Sequence, residues 1–333
     1  MFDRVRGAAA ALTLAILFGA SSAPSDSLGA SSTVTQTSTP QVLKTSGEPF
    51  DIAVDAQTGR AYVTDLKADT LFVFDLNGGA ALAYIPTGRQ PNHVVLSGAR
   101  AFVSNFADAS VTVIDTSTNR EVKTLAVGGL GLAINRQTSR LYAAAGSRLS
   151  VVDTTSDTVV ATLSAPGANL WGVAVDPAAN RIYVTDIATP RVLVYDGAIN
   201  KLVGEVVIDA PARFAIAVGP AGRVFVASYT DQSPQLSVID GVTLKVVARS
   251  PLAAYTTSLL ADDPGGVVYG SSGVDRSVTA VNTTLGGAPS KTGLTDVPGG
   301  LARNPMTNAL IVATPGGAAP PARPLNRAPV TKP

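Results

Sequence analysis

Residues 89–129 read RQPNHVVLSGARAFVSNFADASVTVIDTSTNREVKTLAVGG, and they hold one complete unit of a repeating pattern. Four short runs, HVVLS, AFVSN, VTVID and EVKTLAVG, are rich in Val, Ile, Phe and Thr and are separated by Gly, Asp, Asn and Ser. That is the pattern of β-strands joined by tight turns. VTVID ends at Asp115, and similar runs end at Asp75 (LFVFD), Asp153 (LSVVD), Asp196 (VLVYD) and Asp240 (LSVID), with VTAVN ending at Asn282. The intervals are 40, 38, 43, 44 and 42 residues. Ahead of each run sits another, as in AYVTD (Ala61 to Asp65), AFVSN (Ala101 to Asn105) and IYVTD (Ile182 to Asp186), and ahead of those DIAVD, HVVLS, GLAIN, GVAVD and AIAVG.

Four strands at a fixed period of this length are the signature of a β-propeller. A single blade cannot bury both of its apolar faces, whereas blades packed around an axis bury each other's. Six units start near Gly47, Arg89, Gly129, Ala168, Pro211 and Ala254, and a partial seventh near Pro298 has only GGLARN and ALIVAT. Residues 32–47 (STVTQTSTPQVLKTSG) match the second half of the quoted unit, with Val34 to Thr39 on Val113 to Thr118. The expectation is an all-β fold: a seven-bladed propeller of four-stranded antiparallel blades spanning 33–314, its last blade closed by N-terminal strands. Six or eight blades are the alternatives.

The 333 residues are 46% hydrophobic and 15% charged, with a formal charge of +1, no Cys, one His and one Trp. The absence of Cys excludes disulfides, thiolate metal sites, covalent haem and a cysteine nucleophile. Near-zero charge excludes a broad basic field for duplex nucleic acid. Residues 1–23 read as a secretory signal peptide: Arg4 and Arg6, the uncharged run Gly7 to Ala20, then Ser21, Ser22 and Ala23. That run falls short of the roughly 20 residues a span requires. Residues 24–32 read as a linker and 315–333, with six prolines, as a disordered tail. The chain is therefore expected to be exported (periplasmic, wall-associated or secreted) and monomeric, with no membrane span in its mature form.

Each repeated Asp precedes a Thr- or Gly-rich turn, where its carboxylate accepts backbone N–H groups, so these residues are read as structural. The loops entering the innermost strands are more informative, because propeller sites gather where they meet at the channel mouth. The repeat places Phe50, Asn92, His93, Trp171, Arg213, Phe214 and Tyr255 there, and the ends of the second strands add Asp65, Asn105, Phe106, Asp186 and Tyr229. Such a face stacks flat ligands or bases and meets an anion; alternatively its aromatic residues plug the channel. A metal-dependent lactonase or lyase would need Asp65, Asn105 and Asp186 to converge on a hard cation. A Ser–His–Asp hydrolase would need His93, and no GxSxG stretch accompanies it. GGLGLA (Gly128 to Ala133) lacks the following helix of a phosphate loop and reads as a turn between blades. The composition points to a binding or scaffold protein without cofactor or metal, its partner a protein, an envelope polymer, a small aromatic or anionic ligand, or single-stranded nucleic acid.

Tyr62-Val63-Thr64-Asp65 and Tyr183-Val184-Thr185-Asp186, inside a unit of about 42 residues ending in VxVID-T-x-T, resemble the YVTN-family β-propeller repeat; Asp stands where the family has Asn, which Phe102-Val103-Ser104-Asn105 keeps. The resemblance runs from about Ser32 to Thr314. It implies the propeller fold and leaves function open: the family includes exported proteins of unknown role, cell-surface proteins and a periplasmic type similar to single-stranded-DNA binders. Propellers in general also carry lactonase, lyase and quinoprotein chemistry.

Overall fold

The computed structural model describes residues 40–230, 232–262, 266–283 and 288–318. The signal-peptide and linker readings, the third-strand reading of 34–39 and nearly all of the Pro-rich tail lie outside them. Within them, seven sheets follow one another along the chain. Six are four-stranded antiparallel meanders in simple sequence order. Their innermost strands are Pro49–Asp55, Pro91–Ser97, Leu132–Asn135, Leu170–Asp176, Ile216–Val218 and Thr256–Asp262. The seventh pairs Leu301–Arg303 with Leu310–Pro315 and closes on Gln41–Thr45.

The core is distributed around the ring. Seven apolar clusters form, and each straddles two neighbouring blades. One joins Tyr62, Leu71 and Val73 of the first blade to Val94, Leu96 and Val103 of the second; another joins Leu43, Ile311 and Ala313 to Ile52, Phe72 and Phe74. Second and third strands are buried on both faces, which is why AYVTD and LFVFD do not alternate with polar residues. Outer strands are largely exposed.

The repeated Asp residues are turn braces. Asp115 Oδ1 accepts the N–H groups of Ser117 and Thr118 at 2.9 and 3.0 Å, and Asp153, Asp196 and Asp240 do the same two and three residues on. A second brace crosses between blades. Arg181 at the start of one second strand donates to the carbonyl of Gly241 in the next blade, and Tyr183 Oη donates to the same oxygen at 3.4 Å. Arg60 reaches Thr116 in the same way, and Arg223 reaches Thr283.

The seventh blade closes in an unexpected register. Gln41–Thr45 pairs directly and in parallel with Leu310–Pro315, from Gln41 opposite Ile311 to Thr45 opposite Pro315. A fourth strand of an ordinary blade runs in the same direction as the second, so this segment has the polarity of a fourth strand while occupying the seat of a third. Burial accounts for that position. Leu43 and Thr45 are fully buried there, and Leu43 fills the cluster between the last blade and the first. Gln41 bridges both sides, donating to Leu76 O and accepting from Asn304 Nδ2.

Candidate functional site

The site begins with bulges. The pairing of innermost with second strands shifts register between Pro49 and Ile52, Pro91 and Val94, Leu170 and Val173, and Thr256 and Ser258. Each bulge frees Phe50–Asp51, Asn92–His93, Trp171–Gly172 or Thr257 from the ladder, and bulges re-aim side chains in this way. The freed N–H groups are not left bare. Thr64 Oγ1 accepts from Asp51 N at 3.0 Å and donates to Asn92 O at 2.9 Å in the next blade. Thr185 Oγ1 likewise accepts from Gly172 N at 2.7 Å and donates to Arg213 O at 2.6 Å. The third residue of the Tyr-Val-Thr-Asp segments thus ties the channel-facing backbone of one blade to that of the next. Gly131 lets two of these backbones meet: it donates to Trp171 O at 2.9 Å, and a Cβ there would lie 2.2 Å from the same oxygen.

The side chains so placed form a continuous track. Phe50 packs edge-on against Phe214 at 5.1 Å between centroids and against His93 at 5.5 Å, and His93 lies 5.2 Å from Phe214. Phe214 contacts Trp171 at 4.8 Å, and Trp171 contacts the exposed Phe106 at 6.3 Å. The Arg213 guanidinium lies over both Trp171, at 4.9 Å, and Tyr229, at 4.3 Å, and Tyr229 meets Tyr255 at 5.0 Å. Trp171 Nε1 donates to Asn169 Oδ1 at 3.1 Å, fixing the indole. Tyr255 holds a φ of +52°, a left-handed backbone that bulky residues rarely adopt, at the point where its ring joins the track.

Below the track the channel encloses about 150 Å³, lined by residues of six blades, among them Asp51, His93, Phe214 and Ser258. His93 Nδ1 lies 3.2 Å from Asp51 Oδ2. The same oxygen accepts from Val94 N, and Asp51 Oδ1 accepts from Ile52 N. The carboxylate is therefore spent on orienting the imidazole, with Nδ1 as donor. His93 Nε2 is buried without a hydrogen-bond partner.

Of the residues expected at the mouth, Phe50, His93, Trp171, Arg213 and Phe214 come into direct contact, and Tyr255 joins them through Tyr229. Asn92 does not. It is buried, accepting from Ser104 Oγ at 2.6 Å and donating to Leu130 O, because the bulge sends His93 to the channel and Asn92 into the blade interface. Asp51 was not anticipated: in DIAVD it reads as an ordinary strand residue, and only the bulge turns it inward. Asp65, Asn105 and Asp186 are fully buried, each in its own blade, and of their side-chain oxygens Asn105 Oδ1 alone meets no donor among the described residues. Asp65 accepts from the backbone of Gly47, Glu48, Lys67 and Ala68, Asn105 donates to Ser110 and Thr112, and Asp186 accepts from Asn169 N and Arg191 Nε. Among the described residues no three His, Asp or Glu side chains gather to hold a metal.

No family model matches the chain. It is 27% identical over 228 residues to the uncharacterized protein YncE of Salmonella typhi, and equally to that of Salmonella typhimurium, covering 65% of this chain and 61% of YncE. Over that stretch the chain is similar to YncE. It is also similar to the antigen Lp49 of Leptospira interrogans, 28% identical over 182 residues that make up 50% of this chain and 39% of the antigen. The chain thus spans less than two thirds of these relatives. Among solved structures, a chain of the Kuenenia stuttgartiensis hydrazine synthase superposes on this propeller with a TM-score of 0.64 at 17% identity, over 74% of this chain and 80% of that one. At that identity the likeness concerns the fold alone.

Proposed function

We propose that this chain is an exported propeller that acts by binding, through the aromatic track at its channel mouth, and that it carries out no chemistry of its own. The observation that carries this reading is Arg213. Its guanidinium lies over two rings and, among the described residues, makes no ion pair or side-chain hydrogen bond. A half-buried cation with unspent donors, beside rings that remain partly exposed, is a receptor surface. Export rests on the charged, apolar and small-residue order of positions 1–23. A binding role accords with the sole imidazole, whose Nε2 is buried and meets no side-chain hydroxyl among the described residues.

Trp171 is the only tryptophan, so its emission reports on this face alone. Titrating calcium, magnesium, single-stranded DNA and an envelope-polymer extract should give a saturable change with at least one of them, abolished in Arg213→Ala. A Trp171 signal indifferent to all four, blue-shifted and inaccessible to quencher, would make the track a plug and end the proposal. A response to DNA that weakens steeply with salt would instead identify a nucleic-acid binder.

A further inference from the structure

The binding reading leaves the ligand open, and the geometry around Arg213 narrows it. Resting on that reading, we infer that the channel mouth is a receptor for an aromatic carboxylate, the carboxylate on the edge of Arg213 and the ring on the Trp171 side of the track.

Three observations lead there. Arg213 Cζ lies over both the Trp171 and the Tyr229 ring, at 4.9 and 4.3 Å, and the planar guanidinium presents its unengaged N–H groups in one plane. A planar carboxylate continues that plane with two parallel hydrogen bonds, whereas a tetrahedral phosphate needs donors out of plane as well. The arginine is also held still. Its carbonyl accepts from both Thr185 Oγ1 at 2.6 Å and Gly172 N at 2.9 Å, so the backbone carrying the fork is anchored to the neighbouring blade. A fork immobilised in advance gives up little entropy on binding.

The second observation is charge. Among the described residues Arg213 is the cation seated on the track, while Arg89 is engaged by Asp108 at 2.7 Å. One uncompensated positive charge balances a monoanion; it leaves a phosphate dianion half neutralised, and it gives a polyanion a single contact. The third is the surface beside the fork. Phe106 is 47% exposed and abuts Trp171, so a flat apolar group projecting from the carboxylate has two rings to lie against.

The test uses benzoate and indole-3-carboxylate as probes, followed by Trp171 emission for the first and by calorimetry for both. Saturable binding is expected, with the neutral isostere benzamide at least about tenfold weaker. Arg213→Lys, which keeps the charge and loses the planar fork, should weaken binding by a similar factor with an unchanged melting temperature. Inorganic phosphate and oligothymidylate should give no response at the same concentrations. Benzamide binding as well as benzoate, Arg213→Lys retaining full affinity, or phosphate or oligothymidylate binding in place of the carboxylates would overturn the assignment. If the envelope extract shifts Trp171 while both carboxylates fail, this assignment falls and the binding reading stands; if nothing shifts it, both fall.

Discussion

Asp65 offers the sharpest test of how this ring is held. Its carboxylate is fully buried and accepts four backbone N–H groups: Glu48, Lys67 and Ala68 on Oδ1 at 2.8, 3.1 and 3.0 Å, and Gly47 on Oδ2 at 2.7 Å. Two of these donors lie in the segment linking the closing strand to the first blade, and two in its own hairpin. Asp65→Ala strands all four at once. Hydrogen bonds to a charged acceptor contribute roughly 1.5–3 kcal/mol each, but Glu48 and Lys67 are exposed enough to recover water. The net loss should be about 3 kcal/mol, which for a chain of this size lowers the melting temperature by roughly 6–10 °C. Asp65→Asn can keep its amide oxygen at the three-donor position and fail only Gly47, so it should cost about half as much. Asp196→Ala, which removes a turn brace at the surface, should cost about 1 kcal/mol. Calorimetric melts of the four proteins, with and without calcium, give the order directly. An Asp65→Ala protein as stable as Asp196→Ala would refute this account of the closure, and a calcium-dependent melting temperature in the wild type would reinstate the cation reading of Asp65.

Three further perturbations test the same geometry. Phe225 occupies the place held by Tyr183 one blade earlier, and a pocket of about 200 Å³ lies beside it, lined by Arg223, Ala261, Val268 and Thr283; Phe225→Tyr should bring a hydroxyl toward the Thr283 carbonyl and raise the melting temperature by a few degrees, about 1 kcal/mol, while a loss of stability would show that the pocket does not accept the hydroxyl. The Ser117 hydroxyl and Thr118 N–H hold the Asp115 carboxyl well below the usual carboxylate range, and the turn N–H groups of Ser156 and Thr243 lower Asp153 and Asp240 in the same manner. The unfolded chain therefore binds more protons in acid, so their contribution is complete above about pH 4 and is lost as the pH falls further; urea midpoints should drop on acidification, with a shallower slope in a triple Asp→Asn variant, and an identical slope would refute the assignment. Thr185→Val and Thr64→Val remove equivalent hydroxyls and should destabilise alike, but only the first releases Gly172 and Arg213 and so changes Trp171 emission, with Thr185→Ser restoring it; equal spectra in both Val variants would refute the link.

The sequence displays the blades openly because each strand pair is local. The Asp turn at Asp115 joins neighbouring strands, and the runs on both sides of it are apolar for the same reason: both faces are buried between blades. The mouth residues were also legible, since the repeat aligns them regardless of what they contact. Side-chain direction was not. Whether Asn92 or His93 faces the channel depends on a bulge, a register shift of one residue against Arg100–Asn105 that no local preference announces. Asp51 was hidden for the same reason. The closing strand shows another limit. Alignment gives Gln41–Thr45 the direction of an outer strand, but its seat is set by the cavity that Leu43 fills against Ile311 and Phe74, a contact between opposite ends of the chain.

That seam also fixes how the ring bears load. Because Gln41–Thr45 and Leu310–Pro315 run side by side in the same direction, Gln41 lies toward the face opposite the mouth and Pro315 toward the mouth face, where Gly317 N donates to Thr45 O. Pulling the two ends apart along the strands therefore acts as shear, and all five paired positions resist together instead of peeling one after another. A hairpin closure, with both ends on one face, would unzip.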